Sequence, residues 1–420
     1  MQQIRLGLIF FLAIAIVANA QTPLSWQQVQ ERFVANNPTL RAARLGIDES
    51  QAQEVTAYLR PNPDVGLSAD GVQIVPEQGM WRPLSGVVIT SSLSYLYERQ
   101  HKRELRRDTA RESTVVTQSQ YTDQERNLLF NLRTAFVNTL QSKAVLQNAR
   151  ENLAYWDREL EVNRLRFNDG AMSRADLIRL ELQRAQFVSD YETASVNLRT
   201  AKIQLLMLLN ERTPLEQFDV AGEFDFREEL RPLEEFRKIA IETRPDLKAA
   251  VQNVELAKLA HQLANSNGST DPTWSVWYSQ NASFNNPLAH HTVGASVNVP
   301  LRIFDRNQGE KARTQLDIGK NERQREATEA QIFNDVDSAY WTLIQNVNVL
   351  KPYKDEFLKQ ATEVRDTVAY SYQRGAATLL DLLDAEKAYR DTRLAYVNLI
   401  GSYLTAAAQM NMATGREVMP

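Results

Sequence analysis

The 420-residue sequence contains no cysteine. Disulfides are thereby excluded whatever the compartment, and so is a lipid anchor carried on an N-terminal cysteine. Glycine and proline are scarce, 15 and 14 in all, which argues for long regular elements joined by few turns. Beyond the N-terminus no apolar run reaches about 18 residues, so no transmembrane helix is expected. An excess of basic charge is lacking too. The net charge is −4, and a nucleic-acid-binding face needs a concentrated positive patch. The four histidines, His101, His261, His290 and His291, form no cluster with carboxylates at ligand spacing. Nucleophile elbow, phosphate loop and zinc-protease patterns are also missing. Neither a catalytic site, a cofactor nor a bound metal is expected. His290 and His291 read as part of an exposed outer loop, and Arg99, His101, Lys102, Arg103, Arg106 and Arg107 as a solvated or headgroup-facing surface.

What is present begins with a leader. Arg5, the apolar run Leu6 to Val17 and the small-residue site Ala18-Asn19-Ala20 predict a secretory signal peptide over 1–20, with the mature chain starting at Gln21. The mature chain is then written twice. Pro38-Thr39-Leu40-Arg41-Ala42-Ala43 corresponds to Pro245-Asp246-Leu247-Lys248-Ala249-Ala250, an offset of 207 residues. Phe167-Asn168-Asp169-Gly170-Ala171 corresponds to Tyr372-Gln373-Arg374-Gly375-Ala376, an offset of 205, and Asp176, Leu177 and Glu181 meet Asp381, Leu382 and Glu386 in the same frame. Matches at both ends of the unit define a first repeat over 21–210, a linking segment over 211–232 and a second repeat over 233–420.

Each half carries a hairpin, about 63–96 and about 273–301, in which apolar residues alternate with small or polar ones: Val87, Ile89, Leu93 and Tyr95 in one, Val293, Ala295, Val297 and Val299 in the other. Period-two alternation predicts strands with one apolar and one polar face. Long helices follow, about 103–168 and 172–209 in the first half and about 310–373 and 377–413 in the second. Their seam residues recur at alternate spacings of three and four, as in Leu177, Leu180, Arg184, Phe187, Tyr191, Ala194, Leu198, Ala201 and Leu205, the rhythm of coiled-coil packing. Gly170 and Gly375 fall where one long helix gives way to the next, where a positive φ is needed. Four two-faced strands leave open sheet edges that a bilayer cannot satisfy, so identical chains are expected to close one barrel. A water-soluble coiled-coil scaffold is the competing reading, and it leaves the leader and the two-faced strands without a purpose.

The order helix, hairpin, long helix, glycine turn, long helix, twice over, resembles the TolC family of outer-membrane efflux channels. The resemblance rests on Asn37-Pro38-Thr39-Leu40-Arg41-Ala42-Ala43, on Tyr372 to Ala385 and on Val299-Pro300-Leu301-Arg302-Ile303-Phe304-Asp305-Arg306-Asn307-Gln308-Gly309. The last segment is similar to channels of cobalt–zinc–cadmium type efflux systems. The resemblance implies a mostly α fold with a small β part. Three chains would build a twelve-stranded β-barrel in the outer membrane, in contact with its lipid, and a long periplasmic α-helical barrel. It implies a periplasmic membrane-fusion adaptor and an inner-membrane pump of the resistance-nodulation-division type as partners, with possible cargoes including heavy-metal cations. The exit duct of a type I-like protein secretion system remains open as an alternative. Residue by residue, the resemblance places Asp381 and Asp384 at a pore constriction and Tyr372 and Asp176 in gating contacts. It places Gly170-Ala171-Met172-Ser173 and Gly375-Ala376-Ala377-Thr378 at adaptor-docking turns. Ala377 stands where the family pattern has a basic latch residue, with Arg174 as a candidate substitute.

Overall fold

The computed structural model describes residues 23–281 and 290–419. The expected leader and the tip of the second hairpin lie outside these residues. In the first half, α1 (Trp26–Asn36) and α2 (Pro38–Ala57) lead into β1 (Asp64–Asp70) and β2 (Val88–Leu96), then α3 (Lys102–Asn168) and α4 (Arg174–Leu209). The second half repeats the order: α5 (Leu233–Thr243), α6 (Pro245–Asn267), β3 (Thr273–Asn281), β4 (His291–Asn298), α7 (Gln308–Pro352), a π turn (Tyr353–Phe357), α8 (Leu358–Gln373) and α9 (Leu379–Thr414). At 67 residues, α3 is about 100 Å long.

Local chemistry sets these boundaries. Ser25 opens α1 with a capping box, its hydroxyl accepting from the Gln28 amide while the Gln28 side chain accepts from Ser25 N–H. Asn37 and Arg244 each stand before a proline, which disfavours helical backbone, and both are extended. Where the pattern predicts one helix over 310–373, the π turn interrupts it directly after Pro352. Proline has no N–H to give the preceding turn, and a widened turn absorbs the lost bond.

The four strands form one antiparallel sheet in the order β1-β2-β3-β4. Its register sorts the side chains into two faces. Val65 pairs with Leu93, Leu93 with Val276 and Val276 with Ala295, whereas Gly66 pairs with Ser92, Ser92 with Trp277 and Trp277 with Gly294. The first row belongs to an apolar face that also carries Leu67, Ile89, Trp274 and Val293. That face is exposed, with Val65 at 82% and Val293 at 81%. The other face is mostly polar or small; Val88, Leu96 and Trp277 are its large apolar members, and the Trp277 ring occupies the space a side chain at Gly294 would take. The strands span seven to nine residues, somewhat shorter than the 9 to 11 expected of a tilted crossing. β1 stops at Gly71, where φ reaches +80°.

Two compact units emerge, each drawn from both halves of the sequence. One gathers the chain up to Asn37, Asn131–Glu229 and Leu343–Ala408; the other takes Pro38–Phe130, Leu230–Thr342 and the chain from Gln409 on. The second unit contains the sheet and a core of Phe236, Ala240, Leu247, Ile332, Val336, Ala339, Met410 and Ala413. Beside that core Arg244, 3% exposed, bonds Asp246 and Asp335 and donates to the Ala413 carbonyl. The basic stretch after the first hairpin is solvated only in part: Arg99 and His101 are exposed, whereas Arg103, Arg106 and Arg107 are half-buried. Lys102 is buried and donates to Asp271 at 2.6 Å, and Arg106 is paired with Glu98. A buried ammonium needs such a partner, because desolvation disfavours the free charge.

Candidate functional site

The expected functional residues all lie in the first unit, around the two reversals between long helices. Both reversals are built alike. At the end of α3 the Ala171 amide donates to the Arg166 carbonyl and the Gly170 amide to Phe167, a Schellman closure. At the end of α8 Ala376 donates to Ser371 and Gly375 to Tyr372 in the same pattern. The two glycines have φ of +75° and +76°, a conformation that costs any other residue about 1 kcal/mol or more.

The helices that leave the turns are capped alike as well. Ser173 accepts from the Asp176 amide and donates to the Asp176 carboxylate at 2.8 Å. Thr378 accepts from the Asp381 amide and donates to Asp381 through its hydroxyl at 2.7 Å and its own amide at 2.9 Å. Asp176 and Asp381 are therefore equivalent, each closing the first turn of a long helix. The Ser-x-x-Asp and Thr-x-x-Asp spacings announce this role, although a reading that looks for pore charges passes over it. The two bonds from Thr378 hold the Asp381 carboxyl below the usual carboxylate range. Asp384, one turn further, is exposed, and among the described residues it has no hydrogen bond or ion pair. The face it shares with Asp381 carries two negative charges three residues apart.

Tyr372 and Asp176 do not bond one another in the single chain. The Tyr372 hydroxyl donates to Asn163 Oδ1 at 2.9 Å, and Asn163 is buried at 1% exposure. Arg166 lies over the Tyr372 ring at 5.5 Å and donates to the Gln373 carbonyl at 3.0 Å. Asp176 instead takes Ser173 and Arg179. The cation beside Tyr372 thus comes from the end of α3, while Arg174 is exposed at the start of α4. Nothing in the local sequence pairs Arg166 with Tyr372, since the two are 206 positions apart.

Beneath the turns lies a core of Trp156, Leu160, Leu180, Phe187, Leu379 and Leu382, with Trp156 and Phe187 stacked at 5.4 Å. It draws residues from α3, α4 and α9, so the two reversals share one apolar support. Two exposed turns and the exposed Asp384 side chain thus stand over one shared apolar base. Among the described residues no group of three metal-ligating side chains occurs, and no helix is apolar and long enough to cross a membrane.

Comparison with known proteins gives this arrangement its context. The family model described as outer membrane efflux protein matches residues 30–211 and again 237–416, one match to each repeat. The chain is 21% identical over 398 residues to the cobalt-zinc-cadmium resistance protein CzcC of Cupriavidus metallidurans, covering 94% of this chain and 91% of that one. It is also 21% identical over 406 residues to outer membrane protein TolC of Escherichia coli, with coverage of 92% and 81%. In fold it is similar to CusC, with a TM-score of 0.78, 16% identity and coverage of 93% and 92%. VceC from Vibrio cholerae gives 0.75 at 15% identity, covering 93% and 96%. The open state of MtrE from Neisseria gonorrhoeae gives 0.75 at 17%, covering 94% and 89%.

Proposed function

This chain belongs to the outer membrane efflux protein family and is the outer-membrane channel of an efflux pump; we propose that it is a cation-preferring homotrimer whose cargo includes heavy-metal ions. The observation that carries the reading is the sheet. An apolar face exposed along four strands, backed by a polar face, suits lipid on one side and water on the other. A soluble scaffold has no use for such a face. Three chains would supply twelve strands and remove the open edges of β1 and β4.

The channel is passive, and the energy comes from an inner-membrane pump reached through a periplasmic adaptor. The turns at Gly170 and Gly375 are the docking tips, because their small exposed residues admit a helical partner closely. Asp384 and Asp381 carry the cation preference. Three-fold symmetry would bring three copies of each to one constriction, and like charges there attract cations from the periplasm. The preference for metal cargo draws on the similarity to the cobalt-zinc-cadmium resistance protein. Contacts from Asn163 and Arg166 hold Tyr372 on the same end of the helices, in keeping with a gating role for that tyrosine and for Asp176.

Planar-bilayer recordings in a salt gradient test this directly. Purified wild-type protein should conduct with a reversal potential on the cation side. Asp384→Asn should move that potential toward zero, and adding Asp381→Asn should move it further. An unchanged potential in the double variant would remove both acids from the constriction.

A further inference from the structure

Glu181 and Glu386 occupy the same position in the two repeats, yet the chain uses them in opposite ways. Glu181 is exposed and pairs with Arg164 at 2.9 Å, across α3 and α4. The position matching Arg164 in the second repeat is Ala369, so the second helix pair offers Glu386 no such cation. Glu386 instead turns inward. It is 7% exposed, next to the Leu382 and Ala385 positions by which α9 packs, and its Oε1 has no hydrogen-bond partner.

The surroundings of Glu386 come from three helices. From α3 the Tyr155 hydroxyl and the Glu159 carboxyl face it, and from α8 come Arg365 and Asp366. Tyr389 and Arg390 follow it along its own helix. Arg365 is already engaged, bonding Asp366 at 2.6 Å and lying over the Tyr389 ring at 4.0 Å. Arg390 is turned to Asp391, Asp190 and the Phe187 ring. Glu386 therefore has the half-buried Glu159 and the exposed Asp366 as acidic neighbours, and one committed guanidinium as its cation.

We propose that Glu386 is a proton-linked catch between the α8–α9 helix pair and α3: protonated, it keeps the pair seated, and ionised, it favours separation and entry of water. A buried carboxyl with one oxygen unpartnered tolerates the neutral acid far better than the anion. Burial pushes Glu386 above the ordinary carboxylate range, with Tyr155 and Arg365 opposing this and Glu159 and Asp366 adding to it. Burial raises Glu159 also, and it holds the Tyr155 phenol in its protonated form. The packed state thus binds the proton more tightly than the separated state. Seating is firm at low pH and weakens as pH rises from the ordinary carboxylate value through the raised one. The consequence for gating rests on the channel reading, whereas the catch itself does not.

Hydrogen exchange of the purified full-length protein in detergent, followed by mass spectrometry from about pH 5 to about pH 8, tests it once intrinsic exchange is corrected for. The peptides to follow cover residues 150–165 and 379–392. In wild type their protection should fall several-fold as pH rises. Glu386→Gln and Glu386→Met should both give flat, high protection, and Glu181→Gln should behave as wild type. Protection that is flat in wild type, or that keeps its slope in both Glu386 variants, overturns the catch. Bilayer conductance of the same samples separates the two proposals. A conducting protein with flat exchange contradicts the catch alone, and a pH-dependent exchange without conductance supports the catch while contradicting the channel reading.

Discussion

Gly375 and Thr378 show how much of the functional end is decided by single side chains. A methyl group at Gly375 would meet no neighbouring atom, so only the backbone objects to it. Gly375→Ala should therefore cost about 1 kcal/mol, read as a lower denaturant midpoint with the fold retained. Thr378→Ala removes the cap of α9 and should cost about 1 kcal/mol, with faster hydrogen exchange confined to the first turn. The two acids of this region respond to pH in opposite directions. Asp381 is held low by Thr378, so its cap is intact above the ordinary carboxylate range and fails only as pH falls through the lowered value. Glu386 is held high by burial, so its seating weakens as pH rises. The glycines and the caps were readable from spacing along the chain. The burial of Glu386 was not, because its repeat mate Glu181 has the same local sequence position and stays in solvent. Glu181 is held outward by Arg164, whereas Ala369 stands at the matching position, and both lie 17 residues from their glutamates.

At the scale of elements, the strands were legible because a half-wetted sheet needs period-two alternation and the chain supplies it. Trp277 breaks the alternation, as do Val88 and Leu96 at the ends of β2. The tryptophan sits on the polar face because Ser92 and Gly294 beside it leave room for its ring. Gly294→Ala would run into that ring, and the expected result is a loss of heat-resistant oligomer on gels with the helical circular dichroism retained. The long helices were likewise visible from their scarcity of glycine and proline, yet α7 and α8 are parted by a π turn that α3 lacks. Pro352 marks the place, although proline alone does not say whether a helix will stop, kink or widen. In the core under the turns, Trp156→Ala should cost about 3–5 kcal/mol, seen as a large drop in unfolding midpoint, because Phe187 loses its stacked partner and a cavity remains.

For the whole molecule, the repeat and the sheet carry the argument. Each half contributes one hairpin and one pair of long helices, and β1 and β4 leave two edges that pair with nothing within the described chain. Closing those edges with two further copies is the central claim, and the absence of cysteine makes it directly testable. A single cysteine at Ala295 in β4, combined in turn with one at each position of β1 from Asp64 to Asp70, can be oxidised in whole cells. Non-reducing gels of the outer-membrane fraction should then show chains joined in twos and threes at one register, stopping at three. Chains that stay single at every register, or a ladder that climbs past three, would contradict the account.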